Sequence, residues 1–226
     1  MRHIMAIRSA YTEESISQWR MMVSRDWLIP SLQAQTQKPE LVVGLSEDDP
    51  FIEERKQMFC DAGCSVRFVI RDRGYDPGAW ETIDRGFPWG FEGGDLSLIS
   101  RCDDDDAIPT DFAEVTAGCA ERCGFDRAVL DWPIGYTAFA GKMYHLYNRS
   151  NQFISILSTD GLSPYEVSHR TFEKHMPRVI VSDKAGWTWV RHGKTVSGTR
   201  RRYRMQLAGR SDSSRWAVQA IKDWGG

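Results

Sequence analysis

Apolar residues fall along this chain in short runs separated by polar, turn-forming stretches, and the spacing inside each run predicts an element. Ile4 to Ile7 is an unbroken apolar run, so His3 to Ser9 is read as a strand covered on both faces. Leu41 to Leu45 repeats the pattern, and Ser65 to Ile70, with Val66, Phe68 and Val69, gives a third strand. Between the first two, Thr12 offers an N-cap with Glu13 and Glu14 in the first turn, and Ile16, Trp19 and Val23 recur at helical spacing as a core-facing stripe. A second helical piece, Trp27 to Gln35, is interrupted by Pro30, and a helix from Pro50 to Ala62 joins the second and third strands. The chain then runs through a turn-rich segment (Arg71 to Gly78), a helix around Pro77 to Arg85, and a glycine- and aromatic-rich loop (Gly86 to Gly94). Leu96, Leu98 and Ile99 mark a fourth strand, Pro109 to Arg122 a helix with Pro109 in its first turn, and Asp126 to Ile134 a further strand. Tyr136 to Tyr147 alternates aromatic and small residues, Val179 to Val181 is strand-like, and Trp187 and Trp189 alternate. Strands interleaved with helices predict an α/β fold around one open sheet.

The fourth strand carries four consecutive carboxylates, Asp103 to Asp106, at its C-terminal end. Adjacent anions repel one another unless a cation sits among them, and a strand-to-helix crevice is where open α/β sheets bind ligands. A hard divalent ion suits such a cluster, since it takes carboxylate oxygens and leaves positions for a diphosphate. The plain alternative is a solvated acidic loop, and the sharp edge between apolar strand and acids favours the site. Arg101 offers positive charge to the cluster or to a diphosphate, and Arg8 closes the first strand as a further candidate contact. Arg71 and Arg73 suit a phosphate and Asp72 a ribose or base edge, with ion pairing among them as the duller account.

At 226 residues, 41% hydrophobic and 27% charged, the chain can bury one substantial core. The expected division is a body over residues 1–198 and a basic, then amphipathic, extension over 199–226 that carries Arg200 to Arg204 and then Trp216 and Trp224. A net charge of −2 asks for no nucleic acid. No apolar stretch approaches the roughly 20 residues of a membrane span, and the first residues are too short for a signal-peptide core. The expectation is a soluble cytoplasmic protein with reduced thiols, its cysteine count of 5 being odd. Cys60/Cys64 and Cys119/Cys123 could be read as a four-thiolate zinc site, but small thiols at helix ends explain them more simply.

The segment Arg101-Cys-Asp-Asp-Asp-Asp-Ala-Ile-Pro-Thr-Asp-Phe112 resembles the metal-binding DxD segment of GT-A glycosyltransferases, closest in texture to bacterial proteins described as rhamnosyltransferases. Pro30 to Thr36 followed by Leu41 to Ser46, and Trp187 to Ser197, extend the resemblance in order, over roughly residues 3 to 198. It implies a GT-A fold, with a mostly parallel central sheet, flanking helices and a mixed β acceptor half. It also implies an activity: metal-dependent, inverting transfer of a sugar, with rhamnose as one candidate, from a UDP-, dTDP- or GDP-sugar to a carbohydrate or other hydroxyl. Mn2+ or Mg2+ would be held by Asp105 and Asp103, with His192 completing the site. Arg8, Ser46, Asp48, Asp72, Arg101, Asp103 and Asp104 would contact the donor. Asp160, Glu166 and His169 are the candidate general bases. Structural explanations stand beside these: Ser46, Asp48 and Asp49 cap a helix equally well, and Ser163, Pro164 and Glu166 form a capping box that needs no chemistry. A nucleotidyltransferase is the second reading, disfavoured because no Gly-rich loop with a Lys follows the first strand; a non-catalytic nucleotide- or carbohydrate-binding module is the third.

Overall fold

The apolar run Ile4 to Ile7 lies in the middle of a sheet. Its strand, β1 (Arg2–Arg8), has β2 (Glu40–Ser46) on one side and β4 (Ser97–Asp103) on the other, both parallel to it. The computed structural model describes residues 1–71, 89–139, 142–149, 151–166, 171–191, 206–207 and 215–219. Four more strands complete this sheet: β3 (Val66–Arg71), β5 (Ala128–Asp131), β8 (Ile154–Ser158) and β9 (Arg178–Ile180), in the order β3-β2-β1-β4-β8-β5-β9. β8 runs antiparallel to both neighbours and the other six strands share one direction. A second sheet, ordered β10-β6-β7-β11, is mixed: β6 (Ile134–Phe139) and β7 (Lys142–Tyr147) form an antiparallel pair, β10 (Thr188–Val190) adds parallel to β6, and β11 (Gln206–Leu207) antiparallel to β7.

Alternation along the strands feeds two apolar layers. Met5, Ile7, Leu41, Val43 and Cys102 pack with helix residues on one face. The helices there are α1 (Glu14–Asp26), α2 (Leu28–Gln33), α3 (Ile52–Cys60) and α4 (Phe112–Arg122), contributing Met21, Leu32, Phe59 and Phe112 among others. Ile4, Ala6, Val42, Val69 and Ile99 face the other way, onto Trp89 and Tyr165. The two sheets meet at a crossing of the segments that carry Trp132 and Trp187, where Trp187 Nε1 donates to the Trp132 carbonyl at 2.7 Å. Glycine is required at that crossing, since a Cβ on Gly135 would lie 2.1 Å from the Trp187 ring and one on Gly186 2.2 Å from that of Trp132.

Several expectations shift. Helix α1 starts at Glu14 with Glu13 as its N-cap, so Thr12 lies outside it. Its buried stripe is Ser17, Met21 and Ser24, not Ile16, Trp19 and Val23, which stay half-buried; serines face inward because an ionic cluster lies beneath them. Pro30 breaks nothing, because α2 begins at Leu28 and a proline in the first turn needs no N–H partner. Pro109 precedes α4, which starts at Phe112. Strand β8 was not among the predicted elements. The extension is tied to the body: Trp216 is buried with Tyr136, Met143 and Val218, and Arg215 grips Asp111 through two hydrogen bonds of 2.9 and 2.7 Å. No described helix is long and apolar enough to cross a membrane.

Candidate functional site

Strands β1, β2 and β3 step outward in one direction, and β4 returns to the opposite side of β1. The order therefore reverses between β1 and β4, and the crevice beyond the carboxyl ends of such a pair is where open α/β sheets bind ligands. Arg8 and Asp103 are register partners at that point, and Arg101 pairs with Ala6 two positions below. Consecutive strand residues point to opposite faces. Asp103 accordingly shares a face with Arg101 and Ile99, whereas Asp104 points with Cys102 toward the helices.

Asp104 is consumed by structure. One carboxylate oxygen accepts from Ser9 Oγ at 2.5 Å; the other accepts from Tyr11 Oη at 2.7 Å and from Arg20 Nη2 at 2.5 Å. Fully buried Arg55 stands 3.6 Å away and also binds Asp49 Oδ2 at 2.8 Å and Ser9 Oγ at 3.0 Å. Ser24 Oγ donates to the Asp104 carbonyl at 2.6 Å, which explains its place on the buried stripe of α1. Burial pushes the Tyr11 phenol far above its ordinary range, so it stays a protonated donor. Asp104 joins β4 to α1 and α3, with no oxygen left for a cofactor. Asp105 pairs with Arg20 as well. Asp106, fully buried, accepts from the Val190 N–H at 3.1 Å and from Gln152 Nε2 at 3.1 Å. Burial, and then the negative charge of Asp103, raise its carboxyl well above the usual carboxylate range.

Asp103 is the member of the run that reaches the crevice, its side chain 15% exposed. Arg101 Nη2 lies 3.6 Å and Arg8 Nη2 3.9 Å from it, so two guanidinium groups flank this carboxylate. Both stand over the ring of Tyr165, Arg101 at 4.3 Å and Arg8 at 5.8 Å from its centroid. Tyr165 stacks on Trp89 at 4.9 Å, and its hydroxyl lies 3.2 Å from the Cys102 carbonyl and 3.4 Å from that of Ala6. Farther along the same edge, Ser46 pairs in register with Arg71. Its buried hydroxyl has no hydrogen-bond partner among the described residues. Asp48 is exposed in the next loop and does not cap α3, whose N-cap is Phe51 with no side-chain hydrogen bond; Asp49 accepts from Phe51 N at 3.0 Å in the turn before it.

The three base candidates separate. Because β8 is antiparallel to β4, Ser158 pairs with Ser97 at the start of β4, and Asp160 lies beyond it. That is the opposite edge of the sheet from Asp103, about 20 Å away at the rise of a strand. There Asp160 is exposed and ion-paired to Arg127 at 3.2 Å, so it is not brought to the site. Glu166 follows Tyr165 directly, and partial burial raises its carboxyl. The expected capping box is a turn: Ser163 Oγ accepts from Tyr165 N at 3.2 Å and the Ser163 carbonyl from Glu166 N at 3.0 Å. His169, His192 and Asp72 lie outside the described residues.

Asp103 and Asp105 are of the right chemistry for a hard divalent ion, but among the described residues no three His, Cys, Asp or Glu side chains converge into a metal-holding group. A complete site needs oxygens from the ligand or a further side chain. The zinc reading loses its basis, because Cys64 and Cys119/Cys123 pack into separate apolar clusters and Cys60 is exposed. Sequence reasoning missed Arg20, Arg55, Asp49, Tyr165 and Gln152, none of which stands beside the acidic run in the chain.

No family model and no curated protein matches the sequence. Solved structures do share the fold. S. aureus TarS 1-349 in complex with UDP-GlcNAc is similar at a TM-score of 0.57 and 10% identity, over 88% of this chain and 61% of that one. The complex of the same protein with UDP gives 0.54 and 9%, over 84% and 60%. The chain thus shares the fold of these structures, a mostly parallel α/β sheet of the GT-A kind, and spans about three fifths of the TarS structures it matches.

Proposed function

We propose that the chain binds a nucleotide-diphosphate sugar at the β1–β4 crevice and transfers the sugar to an acceptor hydroxyl. The supporting observation is the pairing of Arg8 and Arg101 around Asp103 at the point where strand order reverses. Two guanidinium groups beside this carboxylate offer N–H donors where a diphosphate would lie. The Ser46 hydroxyl and Arg71 extend the site toward the nucleoside. Bound Mn2+ or Mg2+ would neutralise the charge developing on the leaving nucleoside diphosphate, and Asp103 and Asp105, with His192, are the residues to hold it. In the transfer, the bond from the sugar's anomeric carbon to the diphosphate oxygen breaks as the acceptor oxygen bonds to that carbon. The acceptor proton passes to a base on the opposite side, giving inversion, and Glu166, next to Tyr165 in the chain, and His169 are the candidates. The UDP and UDP-GlcNAc complexes of TarS make UDP the first nucleotide to try; dTDP and GDP, and rhamnose as the sugar, follow from the resemblance of the acidic segment.

The test is thermal stabilisation by UDP, dTDP and GDP, each with and without Mn2+, in the wild type and in Asp103→Asn. Ligand at 100 times its Kd stabilises by about 2.7 kcal/mol. A shift that needs one nucleotide and is lost in the variant is expected. No shift with any nucleotide would sink the transferase reading.

A further inference from the structure

We propose that Gln152 is a positioning residue for Asp103, through which the acceptor half of the molecule sets the aim of the carboxylate in the crevice. The functional meaning of that aim rests on the nucleotide-sugar reading above. Gln152 Nε2 stands 3.3 Å from Asp103 Oδ2 and 3.1 Å from Asp106 Oδ2. A carboxamide carries two N–H donors, so one group serves both acids. At 3.3 Å its contact with Asp103 is within hydrogen-bond reach, while Nη2 of Arg101 and of Arg8 stand at 3.6 and 3.9 Å.

The position of Gln152 is itself fixed by its neighbour. Asn151 is buried, and its Nδ2 lies 2.8 Å from Asp131 Oδ1, 3.0 Å from the Trp132 carbonyl and 2.9 Å from that of Asn148. Its Oδ1 accepts from Phe153 N at 2.7 Å. Asp131 is held in turn by Arg178, whose Nε is 3.0 Å away. Arg178 and Asp131 therefore anchor Asn151, and the peptide bond to Gln152 carries that anchoring to the tip of β4. An orienting partner of this kind fixes the rotamer of a ligating carboxylate without touching the ligand.

Gln152→Met keeps the length and removes the donor, and Gln152→Glu keeps the shape and adds repulsion. Calorimetric titration with UDP in Mn2+ is expected to show a loss of about tenfold in Gln152→Met, the scale of losing an orienting partner, and a larger loss in Gln152→Glu. A crystal structure of ligand-free Gln152→Met is expected to show Asp103 turned from its wild-type rotamer. Unchanged affinity together with an unmoved Asp103 overturns the proposal. Should the wild type bind none of UDP, dTDP and GDP, the nucleotide-sugar reading fails, and the Asp103 rotamer in the variant still decides the positioning role. If Gln152→Met does not fold, Gln152→Glu answers the same two questions.

Discussion

Asp103 and Asp104 share a peptide bond and face opposite sides of the sheet: Asp103 meets Arg8 and Arg101 at the crevice, and Asp104 meets Arg20, Tyr11 and Ser9 under the helices. Their variants should therefore separate stability from binding. Asp104→Asn leaves Arg20 and Arg55 short of a buried counter-charge and is expected to cost about 3–5 kcal/mol in urea denaturation. Asp103→Asn is expected to change stability by less than about 1 kcal/mol while abolishing the nucleotide-dependent shift. Equal costs for the two would contradict the opposed orientation.

Tyr165 supports both crevice arginines from below. Tyr165→Phe keeps the ring and loses one hydrogen bond, for about 1 kcal/mol. Tyr165→Leu also removes the cation–π contacts, worth roughly 0.5–2 kcal/mol, and is expected to weaken UDP binding severalfold where Tyr165→Phe does not. Titration of both variants at matched folded fraction checks this.

Gly135 has no room for a side chain, because an added methyl would meet the ring of Trp187 at 2.1 Å and Trp187 is itself buried. Gly135→Ala is expected to destabilise by about 3 kcal/mol through overpacking. An unchanged melting temperature would show that the Trp132–Trp187 crossing is looser than described.

His3 is buried against Ser100, with Nε2 2.8 Å from Ser100 Oγ, and burial lowers its pKa from 6.5 to about 4. Above pH 6.5 the ring is neutral in both folded and unfolded chains and contributes no pH dependence. As pH falls toward 4, the unfolded chain takes up a proton that the folded one refuses, so stability is lost, by about 3 kcal/mol in total. The difference in unfolding free energy between wild type and His3→Gln should shift by that amount in disfavour of the wild type between pH 7 and pH 4. A pH-independent difference would rule out the buried neutral ring.

Much of the fold follows from short-range pattern. The unbroken runs at Ile4 to Ile7 and Leu41 to Leu45 could only be covered strands, and the change from Leu98-Ile99 to Asp103 placed the acids at a strand end. Strand β8, Ile154-Ser-Ile-Leu-Ser158, escaped because five residues that mix serine with Ile and Leu show neither strict alternation nor an unbroken apolar run. Its reversal is what carries Asp160 to the far edge of the sheet.

The sequence by itself determined the α/β class, the central strands and the acidic run beside them, because apolar periodicity and turn chemistry act over a few residues. Which aspartate faces a ligand and which is spent on Arg20 was decided only in three dimensions, by the pleat of β4 and the helices laid against one side of it. The same holds for Tyr165 and Gln152, which meet the site from 63 and 49 residues away along the chain. Contacts of that kind depend on register and strand direction, which are set by the packing of the whole sheet.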